Sequence, residues 1–160
     1  MAASRLVLGS ASPRRHELLA SLGVTFDVRA SDADENPDGS PPEQLAETLA
    51  LRKARAVAAS EGVDAAVLGA DTIVVLDGTL LGKPLDSDAA ASMLRSLRGR
   101  GHEVVTGVAV VASDRTAVEH VASSVTMRDY SDAEIAAYVG TGSPFDKAGG
   151  YAIQDRVFAP

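Results

Sequence analysis

A short apolar run at residues 6–8 leads through a polar turn into a helical pattern. Of all the features of this sequence, this arrangement limits the possible folds most strongly. The run predicts a buried strand. Ser12 is a favourable N-cap, Pro13 suits the first helical position, and Gly23 marks the expected end of the helix. A strand that passes through so short a turn into a helix is typical of α/β folds.

Two arginines, Arg14 and Arg15, lie in the first turn of this predicted helix. A positive charge there opposes the helix dipole, so helix stability does not explain their presence. The free N–H groups of a helix N-terminus and two guanidinium groups together favour an anion, above all a phosphate. The alternative is that both arginines are solvated or paired with acidic residues, and this segment alone leaves both interpretations open.

Composition excludes several classes of function. The 160 residues suit one domain, and the aromatic content of 4% predicts an aliphatic core. The absence of cysteine excludes disulfides and thiolate metal sites, and the net charge of −7 argues against nucleic acid as a partner. Because the sequence lacks a membrane-spanning apolar stretch and a signal-peptide pattern, we expect a cytoplasmic protein without a membrane partner.

Lysine is rare in this chain, which has twelve arginines and only Lys53, Lys83 and Lys147. Lys53 falls on the apolar stripe of a helix predicted over residues 43–61, where its side chain either reaches outward to solvent or points into a functional cleft. Lys83 follows Gly82, and paired glycines at 149–150 lie just after Lys147, where they indicate either a backbone close to a ligand or a plain turn. The short string that ends at Lys83 is not a Walker A motif, because its spacing is one residue short and proline follows.

Asp71 is the strongest catalytic candidate, because it interrupts an otherwise apolar run. A buried carboxylate is costly unless it is paired or binds a metal. The alternative is a buried aspartate that caps local backbone. Glu35 is a second candidate carboxylate, in an acidic loop over residues 31–42 that we expect to be mostly solvated. Cations together with carboxylates able to hold a divalent metal indicate a metal-dependent phosphate-ester or anhydride hydrolase.

The remaining patterns predict a mixed α/β fold, with helices on a central sheet and the site in a cleft. The expected strands lie near residues 5–9, 25–30, 65–69, 72–81, 103–112 and 117–127, with a hairpin turn at residues 77–78. Besides the helices already named, helices are expected at residues 87–97 and 131–138.

Six stretches together resemble the Maf family of nucleoside triphosphate pyrophosphatases, which are related in fold to the inosine-triphosphate pyrophosphatases. They are SASPRRHELL (10–19), KARA (53–56), LGADTIV (68–74), LGKP (81–84), HEVVTGV (102–108) and DKAGGYAIQ (146–154). They occur in family order and span nearly the whole chain as one domain, 1–160. The tripeptide Ala70-Asp71-Thr72 resembles the one found in the branch of the family that acts on dTTP and UTP.

The resemblance implies hydrolysis of a nucleoside triphosphate to the monophosphate and pyrophosphate with Mg²⁺ or Mn²⁺, by a homodimer. It implies that Asp71 accepts a proton and, with Glu35, binds the metal. Two further sets of roles follow from the resemblance. The residues implied to bind substrate are Ser10, Arg14, Arg15, Lys53, Lys83 and Lys147, and those implied to select the base are Arg14, Thr72 and Gln154.

Two alternatives remain beside this interpretation. One is a regulator of cell division that binds a nucleotide without hydrolysing it, and the other is a pyrophosphatase for another nucleotide. The chain ends at Pro160, whereas the family usually continues into a Val-Gly-Leu-Pro motif and a final helix. We therefore expect this chain to lack the C-terminal segment usual in the family.

Overall fold

The computed structural model describes residues 5–160, which form a mixed sheet and four α-helices. The strands are β1 (Arg5–Leu8), β2 (Asp27–Val28), β3 (Ala65–Leu76), β4 (Thr79–Leu81), β5 (Gly101–Val111) and β6 (Thr116–Thr126). The helices are α1 (Pro13–Ser21), α2 (Pro42–Ala58), α3 (Ser87–Leu97) and α4 (Asp132–Gly140), followed by 3₁₀ turns at Ser143–Asp146 and Ala148–Gly150. Within residues 5–160, no helix has the length and apolarity needed to cross a bilayer.

The strand order is β2-β1-β3-β5-β6, with β4 paired to β3. Strand β1 runs parallel to both β2 and β3, whereas β4 is antiparallel to β3. The mixed α/β class is therefore confirmed, as is the hairpin at residues 77–78. Two strand predictions were wrong in extent: β2 has only two residues, and β3 continues without a break through Asp71. Strand β3 is continuous because β-sheet geometry tolerates one polar side chain when it has a partner.

The chain forms two compact units. The first unit contains the described residues through Asp71 together with Thr106–Val121, and the second contains Thr72–Val105 and Ala122–Pro160. The core of the first unit is aliphatic, as predicted. It consists of Val7, Ala50, Ala54, Val57, Ala65, Val67 and Ala109.

The core of the second unit is partly aromatic, contrary to the prediction of an aliphatic core. It contains all three tyrosines of the chain, Tyr130, Tyr138 and Tyr151, together with Phe158. The rings of Tyr138 and Phe158 are parallel, with centroids 4.2 Å apart. A low overall aromatic content did not predict this core, because the few aromatic residues are concentrated in one unit.

Helix α2 lies very close to the sheet in the first unit, at two glycines. A Cβ atom on Gly69 of β3 would lie 2.5 Å from the Ala50 carbonyl oxygen and 2.6 Å from the Ala54 nitrogen. A Cβ atom on Gly107 of β5 would lie 2.2 Å from the Ala46 carbonyl oxygen. Both contacts are to helix backbone, so only glycine permits this separation between helix and sheet.

We expect Gly107→Ala to destabilise the protein by about 3 kcal/mol, because helix backbone must move to admit a methyl group. The midpoint of urea unfolding, compared at equal m-value, measures this change. Gly101→Ala on the same strand is a matched control, since its Cβ would meet no atom closer than 3.9 Å. Equal midpoints for the two variants would contradict the close approach of α2.

Candidate active site

The contact between α2 and β3 brings Lys53 to Asp71. Side chains two residues apart on a strand point to the same face of the sheet, so Asp71 shares the face of Gly69 that α2 covers. Lys53 lies on the buried face of α2, in the turn between Ala50 and Ala54 that touches Gly69. The missing side chain at Gly69 therefore allows the helix to bring its one buried lysine to the carboxylate. The apolar stripe predicted for this helix is observed: Leu45, Leu49 and Val57 are buried on the same face as Lys53, whereas Ala56 is only half-buried.

The Lys53 ammonium bridges two carboxylates. Its Nζ lies 2.5 Å from Asp71 Oδ1 and 2.8 Å from Glu35 Oε1. The side chains of Lys53 and Asp71 are each only 11% exposed, whereas that of Glu35 is 48% exposed. The two open questions about these residues thus have structural answers. Lys53 points inward rather than to solvent, and Asp71 is satisfied by an ion pair.

The acidic loop before α2 is mostly exposed, as predicted, and it is also attached to that helix. Arg52 Nη1 donates a hydrogen bond of 3.1 Å to the Asn36 carbonyl, and Arg52 Nη2 lies 3.7 Å from Asp38 Oδ2. Consecutive residues of α2 therefore hold the loop, Lys53 at Glu35 and Arg52 just after it. Arg52 was missed by the sequence analysis. Its position beside Lys53 in a chain rich in arginine carried no distinguishing signal.

The turn between β1 and α1 brings Ser10 and Arg15 together. Ser10 is 6% exposed, and its Oγ accepts hydrogen bonds from the Ser12 backbone N–H at 3.2 Å and from Arg15 Nη1 at 3.4 Å. Ser12 occupies the N-cap position and Pro13 the first helical position, as predicted. Arg14 follows Pro13 in the same turn and is half-buried.

Arg15 belongs electrostatically to the same cluster as the two carboxylates. Burial of its guanidinium lowers the pKa of Arg15 from the ordinary value, and the charge of Arg14 lowers it further. The charges of Asp71 and Glu35 act in the opposite direction and raise that pKa. The first unit thus contains a cluster of Ser10, Arg15, Glu35, Lys53 and Asp71, in which buried Lys53 and half-buried Arg15 lie close to buried Asp71 and half-exposed Glu35. We call this set the Lys53 cluster.

The two carboxylates of this cluster, Glu35 and Asp71, are suitable ligands for a divalent cation that is also coordinated by a phosphate. Within residues 5–160, no group of three or more histidine, aspartate or glutamate side chains can hold a metal by itself. Glu35 and Asp71 contact one ammonium, so their oxygens are close enough to share a cation. Mg²⁺ is usually bound by one or two carboxylates together with water and substrate phosphates, which is the set available here.

The other predicted site residues lie in the second unit. Thr72 follows Asp71 on β3, and exposed Lys83 follows Gly82 after β4. Gln154 is exposed on a turn that the Asp155 N–H closes with a 3.0 Å hydrogen bond to the Ala152 carbonyl.

The Lys147 ammonium is engaged by its own loop. It donates to the Ser143 carbonyl at 2.5 Å and also contacts Asp146 Oδ1 at 2.5 Å. Substrate binding by Lys147 stays a prediction.

Comparison with known proteins identifies the family. The family model described as "Maf-like protein" matches residues 5–159. A dTTP/UTP pyrophosphatase of Moorella thermoacetica is 54% identical over 156 residues, which are 96% of this chain and 80% of the relative. A dTTP/UTP pyrophosphatase of Thermomicrobium roseum is 52% identical over 157 residues, which are 97% of this chain and 72% of the relative.

A solved structure shows the same fold at much lower sequence identity. The Ham1 protein of Staphylococcus aureus aligns with a TM-score of 0.56 and 18% identity, over 79% of this chain and 73% of that one. At this identity the likeness extends to the fold alone. The family model covers nearly all of the described residues, and the relatives match over most of their own length. The chain therefore belongs to the Maf-like protein family.

Proposed function

We propose that this protein is a nucleoside triphosphate pyrophosphatase that hydrolyses dTTP and UTP to the monophosphate and pyrophosphate. The observation that carries the proposal is the Lys53 ammonium between Asp71 and Glu35, in a cluster with Arg15 and Ser10. Relatives about 50% identical to the chain are named dTTP/UTP pyrophosphatases, which supports the choice of substrate.

In the proposed reaction, water adds to the α-phosphorus of the anhydride between the α- and β-phosphates, and the oxygen of that water stays in the monophosphate. The bridging P–O bond breaks, and the bridging oxygen leaves with its electron pair as part of pyrophosphate. Asp71 accepts the proton of the attacking water. Its Oδ1 is engaged by Lys53, so the other carboxylate oxygen is the proposed acceptor, and Lys53 holds the group in one orientation.

The cations of the cluster stabilise the charge that develops on the phosphate oxygens. Arg15 offers guanidinium N–H donors. The turn that contains Ser10 leads into the N-terminus of α1, whose first turn includes Arg14. Glu35 and Asp71 are the proposed ligands of Mg²⁺ or Mn²⁺, which when bound neutralises phosphate charge. The remaining roles are proposed from the family motifs. In this proposal, Lys83 and Lys147 are further phosphate ligands, and the base is selected by Arg14, Thr72 and Gln154.

A nucleotide panel tests this function. We expect the protein with Mg²⁺ to release pyrophosphate from dTTP and UTP with multiple turnovers, and much more slowly from CTP and 7-methyl-GTP. We also expect a chelator to abolish release and added Mn²⁺ or Mg²⁺ to restore it. The assay detects pyrophosphate and orthophosphate separately, since each identifies a different bond as the one cleaved.

Two results would contradict the proposal. Release of orthophosphate as the first product would exclude cleavage between the α- and β-phosphates. Calorimetric binding of dTTP without turnover would instead favour the alternative of a nucleotide-binding regulator.

A further inference from the structure

Two buried polar side chains of the second unit, His102 and Tyr151, take no part in the proposed reaction. His102 Nε2 lies 2.5 Å from the Tyr151 hydroxyl oxygen, and each residue is 7% exposed. Their rings meet edge to face, with centroids 5.4 Å apart and planes at 88°. A buried imidazole and a buried phenol each cost free energy unless they are hydrogen-bonded, so this bond holds both side chains in one arrangement.

Tyr151 begins the segment that carries Gln154. The next residue, Ala152, is buried and accepts the 3.0 Å hydrogen bond from the Asp155 N–H that closes the turn. After the turn, Asp155 Oδ1 accepts hydrogen bonds of 2.9 Å from the backbone N–H groups of Val157 and Phe158. The Phe158 ring stacks on Tyr138. The turn with Gln154 is therefore anchored at both ends, on one side by Tyr151 and on the other by Phe158.

The Tyr151 ring also covers Gly149. A Cβ atom on Gly149 would lie 3.2 Å from Tyr151 Cε1 and 3.1 Å from Val74 Cγ2, and the φ of Gly149 is +73°. The Gly149 N–H donates a 3.1 Å hydrogen bond to the carbonyl of Gly82, the residue before Lys83. Tyr151 thus packs on the segment that holds the Lys83 turn and leads directly into the turn with Gln154.

The pair is a fixed contact rather than a proton carrier. Burial lowers the pKa of His102, although a backbone interaction with Arg100 raises it in part. Burial raises the pKa of Tyr151 to about 12. Burial thus favours the neutral form of both side chains. The contact between Nε2 and the Tyr151 hydroxyl is the side-chain hydrogen bond that holds the His102 ring.

We propose that Tyr151, held by its hydrogen bond to His102, is a positioning residue that sets Gln154 for selection of the base. The inference rests on the function proposed above, in which Gln154 selects the base. Gln154 is exposed and its side chain has several rotamers, so a turn fixed at both ends is needed to place its amide against one base edge. A more loosely anchored turn allows the Gln154 amide to bind other bases as well, so that discrimination between nucleotides with different bases falls.

The test is Tyr151→Phe, which removes the hydroxyl and keeps the ring. We expect KM for dTTP and UTP to rise by about three- to tenfold while kcat changes less than twofold, because one hydrogen bond is lost. Discrimination against CTP, as the ratio of kcat/KM values, falls by the same factor. His102→Gln keeps an amide to meet the Tyr151 hydroxyl and is expected to retain most of the discrimination, whereas His102→Leu is expected to lose it.

Tyr130→Phe is the matched control. Tyr130 is also buried in the second unit, its hydroxyl donates a 2.7 Å hydrogen bond to the Leu94 carbonyl, and burial raises its pKa to about 12. Loss of this hydroxyl is expected to lower thermal stability about as much as Tyr151→Phe without changing discrimination. Equal loss of discrimination in both variants would overturn the positioning role and indicate general destabilisation.

Hydrogen–deuterium exchange of the peptide over residues 149–158 provides a readout that needs no turnover. We expect faster exchange of the Asp155 amide in Tyr151→Phe but not in Tyr130→Phe. Faster exchange in Tyr151→Phe, combined with a wild-type protein that fails to hydrolyse dTTP, would refute the proposed function and leave the anchoring intact. An active wild type with unchanged exchange, KM and discrimination in Tyr151→Phe would overturn the inference itself.

Discussion

Asp71→Asn is expected to lower kcat for dTTP by about a hundredfold or more, because the amide cannot accept the proton of the attacking water. Asparagine has nearly the same shape as aspartate, and it retains a carbonyl oxygen that can accept from Lys53 Nζ, which lies 2.5 Å from Asp71 Oδ1 in the wild type. The fold and the other phosphate-binding groups therefore remain. Steady-state pyrophosphate release measures kcat, and calorimetry with dTTP measures whether binding persists.

Asp77→Asn is the control for this experiment. Asp77 follows the same strand, β3, but its side chain is 70% exposed and pairs with Arg100 at 2.5 Å. We expect this variant to keep the wild-type kcat. Normal turnover in Asp71→Asn would remove Asp71 from its proposed role, and equal losses in the two variants would indicate an effect of charge rather than of proton transfer.

Lys53→Met is expected to destabilise the protein by about 3 kcal/mol, because it leaves two neighbouring carboxylates without their cation in a largely buried place. The methionine side chain has a similar length, so packing in the buried face of α2 is preserved. We also expect kcat to fall tenfold or more, since one positive group is lost from the site. Urea unfolding and pyrophosphate release measure the two effects.

Two companion variants separate charge from packing. The double variant Lys53→Met/Asp71→Asn is expected to recover part of the lost stability, because it removes one of the unpaired carboxylates. Arg52→Met changes the neighbouring residue of α2, whose side chain is 36% exposed and contacts the same loop, and it is expected to affect stability much less. A wild-type unfolding midpoint for Lys53→Met would contradict the ion bridge.

The bounds of a helix or strand were predicted best where local signals mark both of its ends. Helix α3 has the predicted bounds, because its Asp86 cap and the Gly99 after it mark both ends in sequence. Strand β2 is much shorter than its alternating pattern suggested. A strand extends only as far as a neighbour offers hydrogen bonds, and β1 pairs with β2 over only two residues, Asp27 and Val28.

Candidate residues could be proposed from sequence, but their partners could not. Lys53 and Asp71 are 18 residues apart in the chain, and no local rule says that an α2 lysine meets a β3 aspartate. The contact depends on Gly69, whose missing side chain allows the helix backbone to approach. The hydrogen bond between His102 and Tyr151 spans 49 residues and has no local sequence signal.

The α/β class, the strand–turn–helix around Ser12 and the family motifs could be read from local periodicity, capping residues and residue order. The inward direction of Lys53, its bridge between Glu35 and Asp71, and the gathering of the three tyrosines in the core of one unit could not. The free energy of a buried charge or ring depends on the groups that surround it. Those groups come from distant parts of the chain.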